Sequence, residues 1–164
     1  MEIDDEAYLH DLVLNAPIGI CVLDAATLTC EIVNESFLQV VGKHYDAIVG
    51  KYFWNVFAEF RQFYEAFLYK VIKTGKPYYA IEEELTLIRH GKEEDIVVSF
   101  VYSPLMNKEG QVKKVAVWIL ENTQKFLERK KLEEAAEKAA KSEEELRNMI
   151  IKTASNILRP KKPK

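Results

Sequence analysis

Cysteine and histidine are scarce in this sequence: Cys21 and Cys30 are the only two thiols, and His10, His44 and His90 the only imidazoles. The three histidines are scattered and no two stand at metal-ligand spacing, so each reads as a surface residue and no metal site is expected. The cysteines could face each other across a hairpin; in a reducing compartment they read as two small buried apolar side chains. Long hydrophobic runs are also missing. None approaches the ~20 residues of a membrane span, and the acidic start Met1 to Glu6 is unlike a secretion signal, so no membrane span and a cytoplasmic location are expected. Charge of one sign is lacking too, with 23 basic against 26 acidic residues and a formal net charge of −3. That balance gives no global case for nucleic acid, and the basic tail Arg159 to Lys164 is too short to make one. Finally, there is no glycine-rich phosphate loop, no ATP-binding region and no nucleophile–base pair at a readable spacing.

What is present is a real core, with 48% hydrophobic residues, enough for one domain of about 120 residues plus an appendage. The chain is organised around Glu94 to Thr123. Ile96, Val98, Phe100 and Tyr102 alternate with Val97, Ser99, Val101 and Ser103, the period of a strand. Pro104 is expected to end it, and Asn107 to Gly110 form a turn. In the second run Val115, Val117 and Ile119 alternate with Ala116, Trp118 and Leu120. Both faces are apolar, so both are expected to be covered. Glu121-Asn122-Thr123 follows, and a long charged helix opens at Gln124.

Upstream, Tyr8, Leu9, Leu12 and Val13 recur at helical spacing behind Asp4 to Glu6, and Pro17 stops that helix. Ile18 to Leu23 and Leu28 to Val33 read as a hairpin around Asp24 to Thr27. Asn34 is placed as the N-cap of a short helix that buries Phe37, Leu38 and Val41 and closes at Gly42. Phe60, Phe63, Tyr64, Phe67 and Val71 form a helical stripe ending near Gly75. Tyr79, Ile81, Leu85 and Leu87 alternate in a third strand, with Glu82 to Glu84 a solvated or edge portion. Strands joined by short hairpins and kept apart from helices predict an α+β fold with one antiparallel sheet.

The segment from Gln124 to about Ile157 has no proline or glycine and is rich in strong helix formers. Leu132, Ala136, Ala139, Glu143, Leu146, Ile150, Thr153 and Ile157 follow steps of four and three, a heptad seam. An isolated helix of this kind is marginal without a partner for its apolar stripe, so a parallel two-stranded coiled coil is expected. The seam is weak, since Ala136 and Ala139 are small and Glu143 is charged. The expected divisions are an N-terminal amphipathic helix (1–16), a domain (17–123), a coiled-coil helix (124–158) and a disordered basic tail (159–164).

Asn15-Ala16-Pro17-Ile18-Gly19-Ile20 leads to Leu23-Asp24, followed by Val33-Asn34-Glu35-Ser36-Phe37 with Gly42 and by Ile48-Val49-Gly50-Lys51. The Gly91 turn, Ser103-Pro104-Leu105 with Gly110, and Glu121-Asn122-Thr123 before Glu128-Arg129-Lys130 complete the order. On these motifs the chain from Leu9 to Leu132 resembles a PAS sensor domain followed by a signalling helix, as in bacterial sensor histidine kinases. The resemblance implies a PAS fold: a five-stranded antiparallel sheet in the order 2-1-5-4-3, flanked by short helices, with a long C-terminal helix. Many members read Asp-Ile-Thr where this chain has Glu121-Asn122-Thr123. The signal junction, Glu121, Asn122, Thr123 and Arg129, is kept if Glu121 pairs with Arg129 or a neighbouring base.

The resemblance places any ligand between sheet and helices, where the inward residues are Val22, Ile32, Phe37, Phe53, Trp54, Phe57, Phe67, Leu85, Phe100 and Val117. They either form a pocket for a small planar, apolar or aromatic molecule or simply fill the core. Covalent flavin is argued against because neither cysteine lies on the helix that carries the Asn-Cys-Arg motif of flavin-binding light sensors. Haem is argued against because Arg61 to Lys73 contains no histidine; the cofactor stays unknown. The expected function is a non-enzymatic sensory and dimerisation module of two-component signalling. A change in its core would pass through the last strand into the coiled coil, as a homodimer with a downstream kinase or regulator domain. The dimer seam is Leu132, Ala136, Ala139, Leu146, Ile150 and Ile157; the alternatives are a constitutive, ligand-free protein-interaction scaffold and a small isomerase-like enzyme. The enzyme would need a buried carboxylate, for which Asp24 and Glu83 are the candidates.

Overall fold

The computed structural model describes residues 5–162 and divides the chain into two compact units that meet in sequence at Thr123 and Gln124. The first holds helices α1 (Asp5–Leu14), α2 (Glu35–Val41), α3 (Phe53–Val56) and α4 (Arg61–Thr74), and strands β1 (Gly19–Asp24), β2 (Cys30–Val33), β3 (Tyr78–Arg89), β4 (Lys92–Met106) and β5 (Val112–Glu121). The strands form one sheet in the order β2-β1-β5-β4-β3, and every neighbouring pair is antiparallel. The expected α+β architecture is what the chain adopts.

Alternation explains the two central strands. Ile96, Val98, Phe100 and Tyr102 of β4 and Val115, Val117 and Ile119 of β5 all join the core on the inner face. Helices α2, α3 and α4 close over them with Phe37, Val41, Phe53, Trp54, Tyr64, Leu68 and Val71. Cys21 and Cys30 are buried free thiols in this core; the neighbouring Cys30 and burial push the Cys21 thiol well above its ordinary value. Gly19 is required at the start of β1, because a Cβ there would stand 2.9 Å from the Phe37 Cα and 2.6 Å from a methyl of Ile119. Only a residue without a side chain lets α2 approach the sheet this closely.

Asn34 does more than the expected capping. Its Oδ1 accepts from Phe37 N at 3.0 Å, as an N-cap should, and also from Ile20 N at 2.9 Å. Its Nδ2 donates to the carbonyls of Val13 and Ile18. One buried amide thus ties the chain before β1, β1 itself and α2 together, and all its polar capacity is used.

Four expectations need correction. Pro104 does not end β4, which pairs Pro104 with Val115 and runs to Met106, with a register shift just beyond at Leu105/Met106; strand prolines are tolerated beside such irregularities. The third strand does not keep Tyr79, Ile81, Leu85 and Leu87 on one face. A bulge between Ala80 and Glu83, where Glu82 takes a φ of 53°, flips the parity, so Tyr79 and Ile81 are exposed while Leu87 is buried. One extra residue in a strand has this effect by geometry alone. In α4 the buried stripe is Tyr64, Leu68 and Val71, whereas Phe63 and Phe67 are exposed. Finally, the outer face of β5 is only partly covered: Ala116 is buried, but Trp118 and Leu120 are exposed.

The second unit is α5, which runs from Thr123 to Ile157 over 35 residues, about 50 Å at ~1.5 Å per residue. It buries no side chain. Ion pairs one turn apart, Arg129–Glu133 at 3.6 Å and Arg147–Glu143 at 3.7 Å, run along it; exposed pairs of this kind are worth only tenths of a kcal/mol. Arg159 to Lys162 carry no helix or strand, and Pro163, Lys164 and Met1 to Asp4 lie outside the described residues.

Candidate functional site

Between the inner face of the sheet and the helices lies a cavity lined by Phe37 and Val41 of α2, Phe53 and Trp54 of α3, Phe57, Phe60 and Tyr64, and by Leu85, Leu87, Phe100, Tyr102, Val117 and Ile119 of the sheet. The rings interlock edge-on: Phe53 meets Trp54 at 4.8 Å and Tyr64 meets Phe100 at 5.0 Å. Its volume is about 60 Å³, room for a few waters and far below the roughly 300 Å³ at which drug-sized ligand sites begin. Among the described residues the buried indole Nε1 of Trp54 is one of two buried side-chain polar atoms without a hydrogen-bond partner; the other is Asn122 Oδ1.

Of the ten inward residues named from sequence, Phe37, Phe53, Trp54, Phe57, Leu85, Phe100 and Val117 line this cavity. Val22 and Ile32 do not, because they pair with each other on strands β1 and β2 at the outer-face parity. Phe67 does not either. It is 41% exposed and stacks on Tyr78 at 4.3 Å with the rings 12° from parallel. Together they form a wall of a second, open cleft of about 600 Å³ between α4 and β3. Among the two carboxylates considered for chemistry, Asp24 sits in the exposed β1–β2 turn. Thr27 first, then Ala26, hydrogen-bond its carboxylate and hold it below its ordinary value. Glu83 accepts from the Tyr64 hydroxyl at 2.9 Å; burial first, then this carboxylate, raises the Tyr64 phenol.

At the end of β5 the partner of Glu121 is Arg89 of β3, a residue the sequence did not single out. Both Glu121 oxygens receive Arg89 nitrogens, at 2.8 and 3.1 Å, the fork geometry that makes arginine–carboxylate pairs strong. Arg89 also donates to Glu94 at 2.6 Å and to the Val40 carbonyl near the C-terminus of α2 at 3.2 Å. It is held tightly: a Cβ on Gly42, whose φ of 62° already favours glycine, would stand 2.8 Å from the Arg89 Cβ. Its guanidinium is driven further toward the charged form, first by Glu121. Thr123 continues the network, donating to Glu121 at 3.0 Å and accepting from Val97 N at 3.0 Å. Asn122 N donates to the Val97 carbonyl at 2.9 Å. Arg129, the other residue named for the junction, lies over the Phe126 ring at 5.4 Å and pairs with Glu133. An isolated arginine in an edge strand carries no sequence signal.

A family model for the PAS domain matches residues 17–125. The chain belongs to the PAS domain family. Among solved structures, the PAS domain of Bordetella pertussis BvgS is similar at 22% identity and a TM-score of 0.56, covering 83% of this chain and 99% of that one. An RNA-binding light-oxygen-voltage receptor is similar at 18% identity and a TM-score of 0.64, over 84% of this chain and 38% of its own. A sensory box sensor histidine kinase from Vibrio cholerae is similar at 15% identity and a TM-score of 0.53, over 73% and 92%. No curated protein matches. At these identities the neighbours support the PAS fold. Among the described residues no cluster of His, Cys, Asp and Glu is suited to a metal ion, and no helix is long and apolar enough to cross a membrane.

Proposed function

We propose that this chain is a non-enzymatic PAS sensory module of a two-component system, acting in the cytoplasm as a parallel homodimer upstream of a kinase or regulator domain. The observation that carries the proposal is the run of contacts from the cavity wall to the end of the last strand. Phe37 and Val41 of α2 line the cavity, the carbonyl of Val40 between them in the same helix accepts from Arg89, and Arg89 grips Glu121, which accepts from Thr123. A shift of α2 on a change in the core would alter the hold on Glu121 and bias the pairing of α5 through the seam Leu132, Ala136, Ala139, Leu146, Ile150 and Ile157. Such a switch works only if the stimulus stabilises the two arrangements differently.

The homodimer is supported by two unpartnered apolar surfaces. Tyr79, Ile81, Trp118 and Leu120 are exposed on the outer face of the sheet, and Leu132, Leu146, Ile150 and Ile157 are exposed on α5. The unpartnered Trp54 Nε1 favours an apolar core ligand bearing one hydrogen-bond acceptor, since an unmet buried donor costs about 1–3 kcal/mol. The small cavity favours a second possibility, a ligand-free interaction scaffold with the same dimer. Native mass spectrometry of freshly purified protein separates them. A retained small molecule supports the sensor, and a bare dimer that no ligand shifts supports the scaffold. Coupling is tested by a double-mutant cycle between Val41→Ala in the cavity wall and Glu121→Gln, read as α5 pairing. Additive effects would contradict the relay.

A further inference from the structure

The cleft between α4 and β3 has the size and chemistry of a binding site in its own right, and it is not the buried core cavity. It measures about 600 Å³, within the range of small-molecule sites. Its floor and one wall are aromatic: Phe63 and Phe67 are 59% and 41% exposed, and Phe67 stacks flat on Tyr78. Two adjacent exposed phenylalanines on a helix, with a tyrosine behind, are a costly surface to leave in water. Three carboxylates also line the cleft, Glu59 before α4 and Glu83 and Glu84 of β3; Glu83 shares the inward parity of Leu85 and Leu87, and Glu84 alternates to the other side of this edge strand. Among the described residues no Lys, Arg or His lines the cleft. Glu83 is fixed in position by the Tyr64 hydroxyl at 2.9 Å.

Ring faces attract cations through their quadrupole, and carboxylates attract them by charge, whereas an anion would meet only repulsion here. We propose that this cleft binds a small organic cation, a substituted ammonium whose carbon skeleton lies on Phe63, Phe67 and Tyr78 and whose charge faces Glu83 and its neighbours. Phe60, Tyr64 and Leu85 line both the cleft and the core cavity. An occupant of the cleft therefore touches side chains that also form the wall beside α2, and binding does not require the core to open.

The test uses the full chain and three probes of one shape: benzyltrimethylammonium, benzyl alcohol and benzoate, titrated by calorimetry with backbone amide shifts followed by NMR. The expected result is saturable binding of the ammonium about five- to tenfold tighter than the alcohol, with shifts at Phe63, Phe67 and Tyr78, weakening in high salt, and no binding of benzoate. Glu83→Gln keeps an acceptor for Tyr64 and should weaken the ammonium about threefold or more, and Phe63→Leu, at an exposed position, should do the same by removing a ring. Glu31→Gln, remote on β2, should change nothing. Equal binding of alcohol and ammonium, binding of benzoate, no saturable binding of the ammonium, or indifference to both cleft variants would overturn the proposal. An alcohol that shifts only core residues would do so while leaving a core-ligand sensor standing.

Discussion

Leu68 and Leu146 are both leucines on amphipathic helices, yet Leu68 is fully buried and Leu146 is 57% exposed. The first lies on α4 against the inner face of the sheet, where alternation on β4 and β5 supplies a matching apolar surface. The second lies on α5, which holds no buried residue. The same residue type at the same spacing therefore means burial in one unit and an unmet need in the other. In the PAS body α2, α3 and α4 bury apolar side chains against the sheet, whereas α1, like α5, holds no buried residue. Helix α5 holds no buried residue along its seam, and the proposed homodimer would supply a second copy to meet that heptad spacing.

The largest expected effect breaks that contrast directly. Leu68→Ala should destabilise the body by about 2–5 kcal/mol, whereas Leu146→Ala should leave the unfolding of the body unchanged, both read by denaturant melts. Asn34→Ala comes next, because it removes the cap of α2 and leaves buried donors unmet; about 2–3 kcal/mol is expected from the same melts. Arg89→Met should cost about 1–3 kcal/mol, discounted because Glu94 and Glu121 remain partly exposed. If the Arg89 network also sets the end of β5, this variant changes α5 pairing, which a purely local ion pair would not. The smallest effect is at Asp24. Its carboxyl is held below the ordinary value of 3.8, so its contribution is fully present above that pH and fades as pH falls through the lower folded value. Asp24→Asn should therefore lower the melting temperature slightly at neutral pH and make no difference in strong acid, where the wild-type carboxyl is protonated.

Much of the fold was legible because local rules and tertiary demand agree. The period of Ile96 to Tyr102 and Val115 to Ile119 matches their burial, and Asn34 caps α2 as its residue type requires. Legibility failed where a single backbone event changed parity. The bulge at Glu82 has no compositional mark, so Ile81 and Leu85 looked equivalent and are not. In α4 aromatic or apolar residues stand nearly all round the helix, Phe63, Tyr64, Phe67, Leu68, Tyr69, Val71 and Ile72 among them, and only the position of the sheet decides that Leu68 goes inward and Phe63 outward. The aromatic wall of the core was readable by residue type. The open cleft was not, because it is made of the residues that looked like core. The partner of Glu121 was missed for another reason: Arg89 is distant in sequence and reaches Glu121 only because β3 and β5 flank the same strand.

The central claim is that α5 is stabilised by pairing, while the body stands without it. Sedimentation and far-UV circular dichroism of the full chain across a dilution series test it most directly, alongside the double variant Leu146→Ser/Ile150→Ser. The account predicts a dimer whose helicity falls on dilution as it dissociates, with both the dilution dependence and the α5 contribution lost in the variant and the body still folded. A monomeric mass with helicity constant at every concentration, or a dimer and helicity that the double variant leaves untouched, would contradict it.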